Sequence, residues 1–158
     1  MKILVVDDNA TYQQSARDTL ANHDLTVVGT YDEAQALLAP NHNFEVVLCD
    51  LLLPASGQSL GTRGEQYRGK EMPVGIFLAL LAARNGADYV AVLTDANHHQ
   101  HPASACFDAF NPKGENRPNS FMVEKTKFLL CNGCAFADGA SKDWGKLLTY
   151  LMSYIVGG

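Results

Sequence analysis

Short apolar runs and helix-length amphipathic stretches take turns along this chain. "KILVV", "LTVVGT", "FEVVLCD" and "YVAVLT" have the length and β-branched content of strands buried on both faces. "NATYQQSARDTLANH" reads as a helix that Asn9 can cap, and "YDEAQALLA" as a short helix stopped by Pro40. "PVGIFLALLAARNGA" predicts a helix from near Pro73 to Gly86, and a last helix is predicted from about Lys142 to Val156. Strand–helix alternation of this kind builds a parallel sheet with helices on both faces, wound right-handed. Two segments interrupt it: a polar stretch at 54–70 with glycines at 57, 61, 64 and 69, and a longer one at 95–119 with a short helix in "ASACFDAF". Loops of that length inside a compact fold are usually functional, so residues 1–158 are read as one domain with two insertions.

The last strand has two readings. If "SFMV-EKT-KFLLCN" is a hairpin with a three-residue turn, the final sheet strand is "KFLLCN", ending at Asn132. If the strand is "NSFMV" instead, it runs into Lys125, and "KFLLCN" is left without a place in the sheet. The hairpin is favoured for that reason. "VGIFLALLAA" is also unusual, being apolar nearly all round, where a surface helix keeps a polar face. Segment 54–70 or a partner chain, a second copy included, is expected to cover it.

Composition narrows the class. The chain has 158 residues, 47% hydrophobic and 18% charged, which suits one globular domain with a sizeable core. A formal charge of −5 with no cluster of Lys and Arg speaks against a nucleic-acid surface. No run approaches the roughly 20 apolar residues of a membrane span. The first apolar run is too short for a signal peptide, and a cytoplasmic location is expected. Of the four cysteines, Cys49 sits in an apolar run, and "CNGC" is a single C-x-x-C without a second pair, a weak metal or redox signal.

The chemistry gathers at strand ends. The first strand ends in Asp7-Asp8, the third in Asp50 and the fourth in Thr94. In an open parallel sheet ligands bind at the carboxyl ends of strands, so these side chains share one edge. Adjacent carboxylates repel, and a hard divalent cation between the pair and Asp50 would relieve that repulsion.

"ILVVDDN", "VVLCDLLLP" and "VAVLTD" together resemble the receiver domain of two-component response regulators, over roughly residues 1–95. The resemblance implies a flavodoxin-like, doubly wound, five-stranded parallel sheet in the order 2-1-3-4-5, here with an extra hairpin strand before strand 5. It implies that Asp50 accepts a phosphoryl group from a histidine kinase or phosphotransfer protein, and that Thr94 carries the switch hydroxyl. Mg²⁺ would be held by Asp8, Asp50 and the backbone carbonyl of Leu52, with Asp7 acting mostly through water. Such a domain is a phosphoprotein that catalyses its own phosphorylation and dephosphorylation rather than a turnover enzyme. With no output domain expected after the last helix, signalling would pass through a downstream protein partner or a homodimer, with no nucleic acid and no membrane.

Two departures stand out. Receivers carry a lysine at the end of the fifth strand, a role that falls to Lys125 only if the hairpin is absent. The loop "TDANHHQHP" also sets His98, His99 and His101 just past the carboxylate edge, where they could ligate a second metal or contact the phosphoryl group. A phosphorylation-independent scaffold of receiver shape is the alternative. A metal-dependent phosphohydrolase using Asp7, Asp8, Asp50 and the histidines is a third reading.

Overall fold

The computed structural model describes residues 1–111, 118–133, 135–137 and 140–153. Strand β1 (Lys2–Val6) leads into helix α1 (Ala10–Thr19), β2 (Asp24–Val28), α2 (Tyr31–Leu37) and β3 (Val46–Cys49). Two-residue strands β4 (Leu53–Pro54) and β5 (Glu71–Met72) pair antiparallel at the base of the first insertion. Then come α3 (Gly75–Arg84), β6 (Tyr89–Thr94), α4 (Pro102–Ala105) running on into a 3₁₀ turn, β7 (Ser120–Val123), β8 (Thr126–Asn132) and α5 (Trp144–Ser153). The expected continuation of the last helix to Val156 falls outside the described residues, as does Cys134 of "CNGC".

Among the described residues the main sheet has six strands in the order β2-β1-β3-β6-β8-β7. This corrects the five-stranded sheet in the order 2-1-3-4-5. The difference comes from β7, which pairs antiparallel along the outer edge of β8, while the other strands are parallel to their neighbours. The turn is also shorter than the expected "EKT". Val123 pairs with Thr126, so only Glu124 and Lys125 lie between the strands.

Local signals explain the helices. Asn9 caps α1 by accepting the Thr11 N–H, and Thr30 caps α2 by accepting the Glu33 N–H while its hydroxyl donates to the Glu33 carboxylate. One apolar cluster joins the sheet to α2 and α3, with Leu4, Val47, Val92, Leu78 and Ala82 at its heart. The other joins the opposite face to α1 and α5 through Ile3, Leu48, Leu93, Ala16 and Trp144. Helices therefore cover both faces and leave the strand ends open to carry chemistry.

The expectation that α3 is covered on its outer side does not hold in the chain itself. Phe77 is 59% and Leu80 43% exposed, although segment 54–70 folds beside the start of the helix. The insertion forms its own short ribbon and a 3₁₀ turn at Glu65–Tyr67, and leaves Phe77 and Leu80 exposed. Among the described residues no helix is long and apolar enough to cross a membrane.

Candidate functional site

Two neighbouring parallel strands bring the carboxylates together. β1 pairs with β3 so that Val6 lies beside Cys49, and the Asp50 N–H continues the ladder by donating to the Val6 carbonyl at 2.8 Å. Asp7, Asp8 and Asp50 thus leave neighbouring strands at one level, each offering an oxygen within 4.8 Å of the others. β3 pairs with β6 on its other side, and Thr94 ends that strand, fully buried. Its Oγ1 accepts the Ala96 N–H, which leaves its own hydroxyl hydrogen to donate elsewhere. Gly75 closes the floor: a Cβ there would stand 1.8 Å from the Asp50 carbonyl oxygen, so α3 reaches this backbone only through glycine.

The repulsion between the carboxylates is offset by a side chain that strand-end reasoning missed. Lys142 is completely buried, and its ammonium lies 2.7 Å from Asp7 Oδ2 and 3.1 Å from Asp50 Oδ1. Residues around it fix its place. Ser15 of α1 donates to the Lys142 carbonyl, Ala137 pairs with Lys142 as an isolated bridge, and the ammonium rests 4.6 Å above the Tyr12 ring. Trp144, buried at the start of α5, donates from Nε1 to the Tyr12 carbonyl at 3.0 Å. Backbone N–H groups add to this hold. Asp7 Oδ1 accepts the Asn9 N–H, and Asp50 Oδ1 accepts the Leu51 N–H at 2.7 Å.

Two buried acids around one ammonium set the electrostatics. Burial pushes Asp50 up to about 7; Lys142 pulls against this, and Asp7 adds to it. Burial likewise raises Asp7 against the pull of Lys142. For Lys142 burial acts in the opposite direction, but the attraction of Asp50 and Asp7 outweighs it and the ammonium is held charged. Asp8 is exposed at the mouth. An all-oxygen set of three carboxylates, one open to water, suits a hard cation such as Mg²⁺ that keeps part of its hydration shell.

Lys125 is not part of this edge. It lies in the turn before β8, whereas Asn132 at the far end of β8 pairs with Thr94. The seven residues of β8 carry the chain from that turn to Asn132, about 23 Å at roughly 3.3 Å per residue. His98 and His99 flank the site rather than join it, and His101 stands just before α4 with its backbone N–H donating to the Asn97 carbonyl. His98 Nδ1 pairs with both Asp108 oxygens at 2.8 and 3.0 Å, and Asn132 Nδ2 donates to Asp108 as well. His99 packs its ring against His98, centroids 4.0 Å apart. Both line a cavity of about 330 Å³ with Asp95 and Asn132. Among the described residues the group of carboxylate, imidazole or thiol side chains placed to share a metal is Asp7, Asp8 and Asp50.

No protein-family model, curated protein or solved structure matches the chain.

Proposed function

We propose that the chain is a receiver-like phosphoprotein of two-component signalling and that Asp50 is its phosphoryl acceptor. The observation that carries this reading is the Lys142 ammonium between Asp7 and Asp50 at the carboxyl end of the sheet. A phosphoryl group arriving at Asp50 brings negative charge into a dry pocket, and a fixed cation is what such a pocket needs. Asp50 Oδ1 is held by the Leu51 N–H and Lys142, so Oδ2 is assigned as the nucleophile. It attacks phosphorus in line with the P–N bond of a donor phosphohistidine. That bond breaks, its electron pair stays on the imidazole, and an acyl phosphate forms on Asp50. Lys142 then moves from the carboxylate to the phosphoryl oxygens, and the Thr94 hydroxyl donates to one of them. Asp7, Asp8, Asp50 and the Leu52 carbonyl would hold Mg²⁺, which when bound supplies charge neutralisation for the transferring group. The partners on this reading are a histidine kinase or phosphotransfer protein upstream and a protein target downstream.

Incubation with acetyl phosphate and Mg²⁺, followed by intact mass measurement, tests it. One added phosphoryl mass is expected, released by neutral hydroxylamine as an acyl phosphate is, and absent in Asp50→Asn. Labelling that survives Asp50→Asn would remove the assignment. No labelling with a retained protein partner would favour the scaffold reading.

A further inference from the structure

Tyr12 and Asp95 stand on either side of Asp50. Tyr12 lies in the first turn of α1, just beyond β1, and Asp95 is the first residue beyond β6. In the sheet β3 runs between β1 and β6, so any contact between these two residues passes over the end of β3, where Asp50 sits. They make that contact: the Tyr12 phenol donates a 2.7 Å hydrogen bond to Asp95 Oδ2. Two strand spacings of about 4.8 Å are bridged by an extended phenol and a short acid. The Tyr12 ring is itself buried, with the Lys142 ammonium on its face and its carbonyl tied to Trp144. Burial and the Asp95 carboxylate raise the phenol's pKa, so it stays protonated and donating at neutral pH. Asp50 beneath is 6% exposed.

We infer that the Tyr12–Asp95 hydrogen bond is a latch over Asp50, closing the acceptor to incoming reagents until the segment beginning at Asp95 draws away. The consequence for phosphorylation rests on the reading of Asp50 as acceptor. The latch acts in two ways. It bars the approach sterically, and it places a carboxylate where an anionic phosphoryl donor must pass. A donor protein could open it by offering the Asp95 carboxylate a better partner than the phenol. The same movement would carry the neighbouring Thr94 and the His98–His101 segment, linking access at Asp50 to the shape of that surface.

Two variants and two chemistries test the latch on the full chain. Tyr12→Phe removes the phenol's hydrogen bond and keeps the ring under Lys142, whereas Asp95→Ala removes the bond and the charge. Each is treated with a water-soluble carbodiimide and glycine ethyl ester, and amidation of Asp50 is followed by peptide mass, with exposed Asp24 as the reference. Each is also phosphorylated with acetyl phosphate and Mg²⁺. Amidation of Asp50 should speed up about two- to tenfold in both, the factor that one net hydrogen bond sets. Phosphorylation should speed up similarly, and more in Asp95→Ala. Circular dichroism identifies a variant that fails to fold, in which case the other carries the test. Unchanged amidation of Asp50 in a folded variant would overturn the latch. Faster amidation without a phosphoryl mass in any form would uphold the latch and overturn Asp50 as phospho-acceptor.

Discussion

Asp50 is an acid in a dry pocket, with its pKa pushed up to about 7 chiefly by burial. An unfolded aspartate titrates near 3.9. Between those values the folded chain keeps a proton that the unfolded chain has released, so stability falls as pH rises from about 4 to about 7 and levels off above. Asp50→Asn removes that dependence. The variant is expected to be more stable than the parent, by a margin that grows from pH 4 to pH 7. Three units would be worth about 4 kcal/mol, but Asp7 and Lys142 share the proton balance, so about 1–3 kcal/mol is the expected gain at pH 8. Urea unfolding at pH 5 and pH 8 measures it, and a gain no larger at pH 8 would contradict a buried, costly Asp50. The acids were legible in the sequence because each directly follows an apolar run. Lys142 was not, because residues 133–141 separate it from the end of β8. Its one signal was electrostatic. It precedes Asp143, whose carboxylate accepts the Lys146 N–H at the start of α5, a helix end where a cation is disfavoured and needs another reason.

At the scale of elements, the hairpin was legible and its turn was not. "SFMV" and "KFLLCN" show strand character on their own, but the choice between two and three turn residues depends on register. The structure sets that register by pairing Phe121 with Phe128 and Met122 with Lys127. The two-residue turn puts Glu124 at φ 55°, a left-handed conformation that suits glycine better than a side chain. Glu124→Gly should therefore stabilise the fold by roughly 0.5–1 kcal/mol, read as a shift in the urea midpoint at constant slope. Lys125→Ala beside it should change stability by less than about 0.5 kcal/mol. It should also leave acetyl-phosphate labelling as it was, whereas Lys142→Ala should nearly abolish labelling in protein that still folds. A large loss in Lys125→Ala would contradict the placement of that turn at the far end of the sheet. Helix α3 followed a different logic. Its all-round apolar pattern has one part in the core, where Leu78, Ala79 and Ala82 are buried, one part in a glycine contact against Asp50, and one part exposed at Phe77 and Leu80. A sequence pattern shows that such a helix needs cover, but not where the cover ends.

The whole molecule places its charge problem at one end of the sheet and its apolar packing everywhere else. Alternating strands and helices made that arrangement legible, since a doubly covered sheet leaves ligands only the strand ends. The sequence was silent on the internal cation, which already offsets part of the repulsion that a metal was expected to relieve. Mg²⁺ is therefore expected as an addition to a formed site rather than as a condition for folding. A ligand at a hundred times its dissociation constant stabilises the native state by about 2.7 kcal/mol. For a chain of this size each kcal/mol moves the midpoint by about 2–4 °C, so saturating Mg²⁺ should raise it by about 5–10 °C. The unbound protein should still unfold in one cooperative transition, because Lys142 holds Asp7 and Asp50 together without the metal. Asp8, exposed at the mouth and outside that ion pair, is the proposed ligand whose loss should touch Mg²⁺ binding and little else. Scanning calorimetry of the parent and of Asp8→Ala, with and without MgCl₂ at matched ionic strength, separates the cases. The parent should shift and the variant should not, while their metal-free midpoints should lie close together. An equal shift in both would place Mg²⁺ elsewhere on the molecule, and a metal-free parent without a cooperative transition would show that Lys142 alone does not hold the site.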